Sequence, residues 1–361
     1  MRATGWATSV VLLDSELTGG SPDTAAVEAN DAPTLLLRNV RTTGYQYAAR
    51  VSRRKTEETV LGGLVDEFLD GERFALFADP AKGRTLNLPI KDAPAYFGGD
   101  ADWVSVKAFG AKADGTTDDS AAVQKAIDSG KAVVCFPTGE YRLASPVVIR
   151  GAVRRVIGFS SRFTQAQGTT LFRFENTDHP ASLERFCFFN GGRVEHAATQ
   201  PVILRHTTGP EKIITIGSGR QWFFEDVCTS QFDLPQRTAL YARQFNCEPA
   251  PPTPGFINDG GLVWILGLKT EWGNTIGVTR NQGRTEVLNG LMLPAQGFQD
   301  KHTPAFIVED ADFSATWNEI SFGTGNYWVA VRETRKGKML ELNPKGEGTQ
   351  RAWSLYTTRE R

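Results

Sequence analysis

Four side chains on two neighbouring predicted strands offer the mixture of groups that binds a sugar. The strands are residues 240–245 and 263–271, and successive side chains along a strand point to opposite faces. The inward side chains are predicted to be Leu240, Ala242, Trp264, Leu266 and Leu268, and the outward ones Tyr241, Arg243, Phe245, Gly267, Lys269 and Glu271. An aromatic ring can stack on a sugar face while charged groups pair with its hydroxyls. The pattern therefore predicts a polysaccharide-binding wall of Tyr241, Arg243 and Lys269, with Glu271 beside them.

The element that must begin this wall is the stretch from residue 103 to 158. Asp118 or Asp119 is a suitable N-cap, and Gly130 stands where a left-handed helix stop belongs. Val123, Ala126 and Ile127 form one apolar stripe. A short amphipathic helix is therefore predicted over residues 120–129, and its apolar side must pack against another part of the fold. Short apolar runs separated by Pro and Gly follow, which is typical of strands and turns.

A repeat becomes visible after this stretch. Apolar strand centres recur 17 to 24 residues apart, at Val202, Phe223, Leu240, Val263, Val287 and Phe306. Irregular spacing near 20 residues is typical of a β-helix, whereas propeller blades need about 40 residues each. The sequence predicts an all-β parallel β-helix with a short N-terminal capping α-helix, and the tail from residue 327 should supply the closing strands.

Residues 109–119 resemble the opening of the pectate-lyase-superfamily right-handed β-helix proteins. Phe109-Gly110-Ala111-Lys112, Asp114-Gly115 and Asp118-Asp119 carry the resemblance, as does the later Phe136-Pro137-x-Gly139-x-Tyr141. In that superfamily the segment and its helix plug the N-terminal end of the solenoid. The resemblance implies a right-handed parallel β-helix. It does not choose among hydrolases, lyases and phage tailspikes, which share this opening.

Residues 239–310, and more loosely 30–64, are similar to the two-solenoid proteins related to glycoside hydrolase family 55, the β-1,3-glucan hydrolases. The segment 56–64 also recurs in shortened form at 285–291, which favours two copies of one solenoid unit. We therefore expect residues 1–64 to be the terminal coils of a truncated first β-helix, residues 65–102 an interdomain linker, and residues 103–361 a second, complete β-helix. The missing first part would carry the signal peptide of a secreted or cell-surface protein.

This resemblance implies a glycoside hydrolase acting on a polysaccharide of β-glucan type. Such a reaction needs two carboxyl groups flanking the scissile bond. The candidates are Glu271, Glu286 and Glu309, which lie on successive predicted coils. The alternative for each of them is a solvated turn carboxylate paired with the basic residue just before it, Lys269 or Arg284. A polysaccharide lyase and a non-catalytic, tailspike-like glycan-binding solenoid remain alternatives.

The composition excludes other partners. Forty basic residues balance forty-one acidic ones, which does not favour nucleic acid, and no apolar run reaches membrane-spanning length. Neither the four cysteines nor the four histidines show metal-ligand spacing, so no metal or cofactor is expected. Cys228 and Cys247 lie about one coil apart, so either buried thiols or a disulfide between rungs is compatible with the sequence.

Overall fold

The computed structural model describes residues 1–4, 9–53, 56–164, 167–189, 191–295, 298, 300–322, 325–344 and 350–359. It is almost entirely β-structure. Among the described residues there is one α-helix, and no helix is long and apolar enough to span a bilayer.

The N-terminal unit, residues 1–74, forms two small sheets from its first seven strands, and its eighth strand pairs with the last strand of the solenoid. Its strands are β1 (Arg2–Thr4), β2 (Ser9–Leu17), β3 (Ala25–Asn30), β4 (Thr34–Thr42), β5 (Tyr47–Arg53), β6 (Thr56–Leu61), β7 (Leu64–Asp70) and β8 (Arg73–Phe74). The sheet orders are β1-β3-β5-β6 and β2-β4-β7, and the pairs β1–β3, β3–β5 and β2–β4 are parallel. Strands β6 and β7 are antiparallel to their neighbours, so this short stack of coils ends in reversed strands.

The solenoid begins at residue 103. Its elements are β9 (Trp103–Ser105), β10 (Asp114–Asp118), α1 (Ser120–Ile127), β11 (Val133–Phe136), β12 (Glu140–Arg142), β13 (Val147–Gly151), β14 (Arg155–Phe163), β15 (Thr170–Thr177), β16 (Ala181–Phe188), β17 (Arg193–His196), β18 (Val202–Thr208), β19 (Lys212–Thr215), β20 (Gln221–Thr229), β21 (Gln231–Leu234), β22 (Ala239–Cys247), β23 (Phe256–Asp259), β24 (Leu262–Thr270), β25 (Gly277–Arg280), β26 (Arg284–Met292), β27 (Pro304–Glu309), β28 (Asp312–Ile320), β29 (Val329–Arg335), β30 (Lys338–Leu342) and β31 (Gln350–Thr357). Short 3₁₀ helices lie at Pro80–Lys82, Asp100–Asp102 and Val106–Phe109.

Alternate strands build two long sheets, which is the topology of a parallel β-helix. One sheet runs β14-β16-β18-β20-β22-β24-β26-β28, and the other runs β13-β15-β17 through to β29-β30. Paired residues on successive strands are 18 to 23 residues apart, at Val202, Trp222, Leu240, Val263 and Thr285. The predicted all-β parallel β-helix with a capping helix is therefore confirmed, and β30 and β31 close it by antiparallel pairing.

The two similar segments do not occupy equivalent positions. Residues 56–61 form β6, which is antiparallel to β5, whereas residues 285–291 lie in β26, which is parallel to both neighbours. The two similar segments therefore differ in how they pair with their neighbouring strands.

A stack of left-handed residues bends the first long sheet. Successive strands carry one at a corresponding place: Arg185, His206, Asp226, Gln244, Gly267 and Asn289 all have φ between 49° and 78°. A residue in this conformation shifts the alternation of the side chains that follow it. In β22, Leu240 and Ala242 face the core before Gln244, and Phe245 and Cys247 face it afterwards.

Because of this bend, part of the predicted alternation of inward and outward side chains is wrong. Phe245 points inward instead of outward, because Gln244 intervenes. In β24 the inward side chains before Gly267 are Val263 and Ile265, so Trp264 and Leu266 face outward, contrary to the prediction. Leu268 faces the core as predicted.

Helix α1 covers the N-terminal end of the core with the predicted stripe of Val123, Ala126 and Ile127. Asp119 occupies the N-cap position, but its buried carboxylate accepts hydrogen bonds from the backbone N–H groups of Lys112 and Ala113 at 2.6 and 2.9 Å. Asp118 accepts from the N–H of Ser120 instead. Asp119 thus stabilises the loop before the helix, and Asp118 stabilises the first turn of the helix.

Replacing Asp119 with Ala should lower the free energy of unfolding by about 2–3 kcal/mol, because two backbone donors lose a charged acceptor. Chemical denaturation monitored by circular dichroism measures the change. Asp178→Ala, at an exposed carboxylate, is the matched control and should change the free energy by less than about 0.5 kcal/mol. Equal effects of the two substitutions would contradict the assignment.

All four cysteines are free thiols, so Cys228 and Cys247 do not form a bridge between rungs. Cys247 is buried in the core, and burial raises its pKa well above the usual range. Cys228, on the neighbouring strand β20, is not part of the core and pairs in register with Asn246.

Candidate functional site

The chain covers part of its own outer wall. Residues 83–99, here called the crossing segment, run across the strands of the first long sheet. The row of outward side chains beneath it is in register and consists of Ile203, Phe223, Tyr241, Trp264 and Glu286. Leu86 and Leu88 pack on the apolar members of this row and form a cluster with them. This row is therefore closed to a polymer.

Tyr241 and Arg243 both contact the crossing segment. Tyr241 is 4% exposed, and the Lys91 ammonium lies 5.3 Å from its ring centre. Arg243 donates hydrogen bonds to the Lys91 carbonyl at 3.1 Å and to Asp92 at 2.8 Å. Two of the three predicted sugar-binding side chains thus already have partners within the protein.

Glu286 lies in the same row, at the junction with the N-terminal unit. It is completely buried, and Arg38 Nη1 donates to both carboxylate oxygens at 2.9 and 3.0 Å. The N–H of Asn87 donates a further bond at 2.9 Å. Burial raises the pKa of Glu286, and the charge and hydrogen bonds of Arg38 offset this only in part. The position joins two parts of the fold and offers no open face to a sugar.

Glu309 lies away from the other candidates. It ends β27 in the second long sheet, where it is exposed and pairs in register with Arg280. Lys269 and Glu271 belong to β24 of the first sheet and the turn after it. The structure therefore does not bring Glu271, Glu286 and Glu309 together.

Lys269 and Glu271 do lie together, and Glu248 joins them. The Lys269 ammonium donates to Glu248 at 2.6 Å and also to Glu271. The side chains of Glu248, Lys269 and Glu271 are 27%, 32% and 42% exposed, so this acidic–lysine cluster is open to solvent. Partial burial lowers the pKa of Lys269, but the hydrogen bonds that it donates to Glu248 and Glu271, together with their negative charges, outweigh burial and raise the pKa overall.

Sequence reasoning missed Glu248, although a signal was present. Glu248 precedes Glu271 by 23 residues, the same distance that separates the paired residues Leu240 and Val263. Residues one coil apart stack on neighbouring rungs of a solenoid. A search for charged residues at the local coil length would therefore have found the third member.

The acidic–lysine cluster has the chemistry of a polar contact site. It combines one ammonium, which remains charged at neutral pH, with two carboxylates whose remaining lone pairs can accept hydroxyl donors. Asn246 and Cys228 lie in register with Lys269 on the two preceding strands of the same sheet. The buried Oδ1 of Asn246 has no hydrogen-bond partner among the described residues. Within the described part of the chain, no group of three His, Cys, Asp or Glu side chains is placed to hold a metal ion.

Comparison with known families identifies the start of the solenoid. Residues 103–178 match the model of a family described as rhamnogalacturonase A/epimerase, pectate lyase-like. Together with the parallel β-solenoid, this match supports the predicted relation to the pectate-lyase superfamily. No curated protein matches the sequence.

Solved structures give only distant similarity. ORF18 of Geobacillus virus E2 is 13% identical, with a TM-score of 0.33, and the match covers 62% of each chain. PfbA, a surface adhesin of Streptococcus pneumoniae, is 10% identical, with a TM-score of 0.32 over 67% of this chain and 100% of that one. The chain thus spans 62% of the length of the phage protein.

Proposed function

We propose that this protein is a carbohydrate-binding β-helix that holds a polysaccharide against the acidic–lysine cluster. The observation that carries the proposal is the exposure of Glu248, Lys269 and Glu271 beside a wall whose neighbouring row is closed. Sugar hydroxyls both donate and accept hydrogen bonds, and charged partners make the stronger ones. The match of residues 103–178 to a family named for carbohydrate enzymes supports this ligand class.

The proposal includes a secreted or cell-surface location, where polysaccharides are met. It also retains the predicted division into terminal coils of a first β-helix, a linker and a second β-helix. The relation to the two-solenoid proteins of glycoside hydrolase family 55 stays a prediction based on residues 239–310 and 30–64.

Lys269→Met should weaken binding of a soluble polysaccharide about tenfold, because one charged donor is lost and two carboxylates are left without their cation. Affinity electrophoresis on gels containing β-glucan, pectin or alginate measures the change. Lys125→Met, at an exposed lysine on α1, should leave the affinity unchanged. If both variants bind every glycan like the unaltered protein, the acidic–lysine cluster is not the site.

Glycoside hydrolysis at the same cluster is the second candidate. Glu248 and Glu271 share one ammonium, so their carboxylates lie close together, as the pair in a retaining glycosidase does. One of the two would have to be protonated to act as the acid, and a sugar that displaces Lys269 would favour that state.

If hydrolysis occurs, Glu271→Gln should reduce turnover by about 10²-fold or more while thermal stability stays nearly unchanged. Release of reducing ends from β-glucan measures turnover. Glu309→Gln, at an exposed glutamate of the other sheet, is the control and should retain full activity. Full activity in Glu271→Gln would return this residue to a binding role.

A lyase is less favoured by this geometry. A lyase needs a base that is unprotonated at working pH, and the raised pKa of Lys269 keeps it protonated. Absorbance from an unsaturated product, assayed on pectin and alginate, would overturn this argument.

A further inference from the structure

The N-terminal end of the solenoid carries exposed and partly exposed aromatic rings interleaved with arginines. We call this region the aromatic–arginine surface, and it consists of Tyr96, Phe97, Trp103, Arg154, Arg155 and Phe159. Phe97 is 73% exposed and Phe159 is 44% exposed. Exposing large apolar side chains to water is unfavourable, so a cluster of them is typical of a binding surface.

The strands hold these rings in fixed positions. Trp103 of β9 and Arg155 of β14 flank β11 and are in register with the same residue, Val133, so both side chains point to one face. The rings of Trp103 and Phe159 are nearly parallel, with centroids 6.5 Å apart. The Arg155 guanidinium lies 5.8 Å from the rings of both Phe97 and Trp103. This arrangement leaves ring faces and edges at the surface of a rigid sheet.

The crossing segment supplies the remaining rings. Tyr96 donates a hydrogen bond from its hydroxyl to Asp102 at 3.1 Å, and Asp102 also accepts the N–H of Gly99 at 2.9 Å. This anchor fixes Tyr96 beneath the guanidinium of Arg154, which lies 4.4 Å from the ring centre. The end of the crossing segment is thus ordered before any ligand arrives.

The two arginines differ in whether a carboxylate neutralises their charge. Arg155 forms an ion pair with Glu184 at 2.8 Å, which neutralises it. Arg154 forms no ion pair with any carboxylate in the described part of the chain. Its stacking on Tyr96 leaves the guanidinium edge, with its N–H donors, free to meet an anion.

We propose that the aromatic–arginine surface binds a sugar chain that carries anionic groups, with sugar rings on Phe97 and on Phe159 and an anion on Arg154. Aromatic faces accept the apolar face of a pyranose, and an uncompensated guanidinium selects a carboxylate or sulfate. The inference rests on the proposed function in taking a polysaccharide as ligand. It adds a second contact, at the N-terminal end of the solenoid, and a preference for anionic chains.

The test compares three probes by affinity electrophoresis: a polyuronate, a sulfated glucan and a neutral β-glucan. Arg154→Met should weaken binding of one or both anionic probes about tenfold and leave the neutral probe unchanged. Arg154→Lys should restore part of the preference, because it keeps the charge. Phe97→Ala should weaken anionic and neutral probes alike, by about five- to tenfold. Exposed Arg185 and Phe322 provide the matched controls Arg185→Met and Phe322→Ala.

Loss with the polyuronate alone assigns a carboxylate ligand, and loss with the sulfated glucan alone assigns a sulfate. The inference is overturned if Arg154→Met binds all probes like the unaltered protein, if Arg185→Met has the same effect, or if no probe binds. Lys269→Met separates this inference from the proposed function. That variant should weaken binding of the neutral probe as well, which Arg154→Met leaves unchanged, so either proposal can fail while the other holds.

Discussion

Arg38→Met should lower the free energy of unfolding by about 3–5 kcal/mol at neutral pH. The substitution keeps the aliphatic stem but leaves the Glu286 carboxylate buried without its cation. Glu286 lies at the junction of the N-terminal unit and the solenoid, where Leu36 and Leu69 also pack against Leu288 and Leu355. Removing the pair should therefore destabilise the contact between the two parts. Chemical denaturation monitored by fluorescence measures the change.

The cost should depend on pH in a defined direction. Burial raises the pKa of Glu286 above its ordinary value of 4.5, and loss of Arg38 raises it further. An acid with a raised pKa binds more protons in the folded state, so the free energy of unfolding falls as pH rises above the unfolded value. The destabilisation of Arg38→Met should consequently be greatest at neutral pH and should shrink as the pH approaches about 4.5.

The double variant Arg38→Met/Glu286→Gln is the control. An uncharged amide at position 286 still accepts the Asn87 N–H but no longer carries a buried charge, so the double variant should be more stable at neutral pH than Arg38→Met alone. A cost of Arg38→Met that does not change with pH, or a double variant no better than the single one, would contradict the role of this ion pair.

Trp264→Ala should cost about 3–5 kcal/mol. Trp264 is 1% exposed beneath the crossing segment, where it packs with Leu86, Leu88 and Tyr241. The cavity left behind would remove the apolar contacts that hold this segment to the wall. We therefore expect lower stability together with faster tryptic cleavage after Lys91, which is itself exposed. Denaturation and timed proteolysis with mass spectrometry measure the two effects.

Trp328→Ala is the matched control. Trp328 is 53% exposed and contacts Lys301 at the surface, so its loss should cost less than about 1 kcal/mol and leave cleavage at Lys91 unchanged. If Trp264→Ala behaves like this control, the crossing segment does not depend on the covered row.

Local patterns in the sequence sufficed for the architecture. The coil length near 20 residues predicts a parallel β-helix, because each turn of a solenoid repeats the same hydrophobic pattern. The capping helix follows from Val123, Ala126, Ile127 and Gly130, whose spacing is a property of the helix itself. These features depend on neighbours along the chain, and the structure confirms them.

The same patterns predicted less of the candidate site. Strand alternation placed Lys269 correctly beside Glu271, but it placed Trp264 inward, because the left-handed residue at Gly267 shifts the count by one within β24. Such a bend leaves no signal in the residue types, since Gln244, Asp226 and His206 occupy the same place on other rungs.

Only the tertiary structure decided which side chains face solvent. Glu286 meets Arg38, which lies 248 residues away in sequence, and Arg243 meets Asp92 across 151 residues. Contacts between such distant residues depend on where the crossing segment and the N-terminal unit dock, and no local spacing encodes that. The sequence by itself thus determined a solenoid with sugar-binding residue types, whereas docking closed one row of its wall and left the acidic–lysine cluster open.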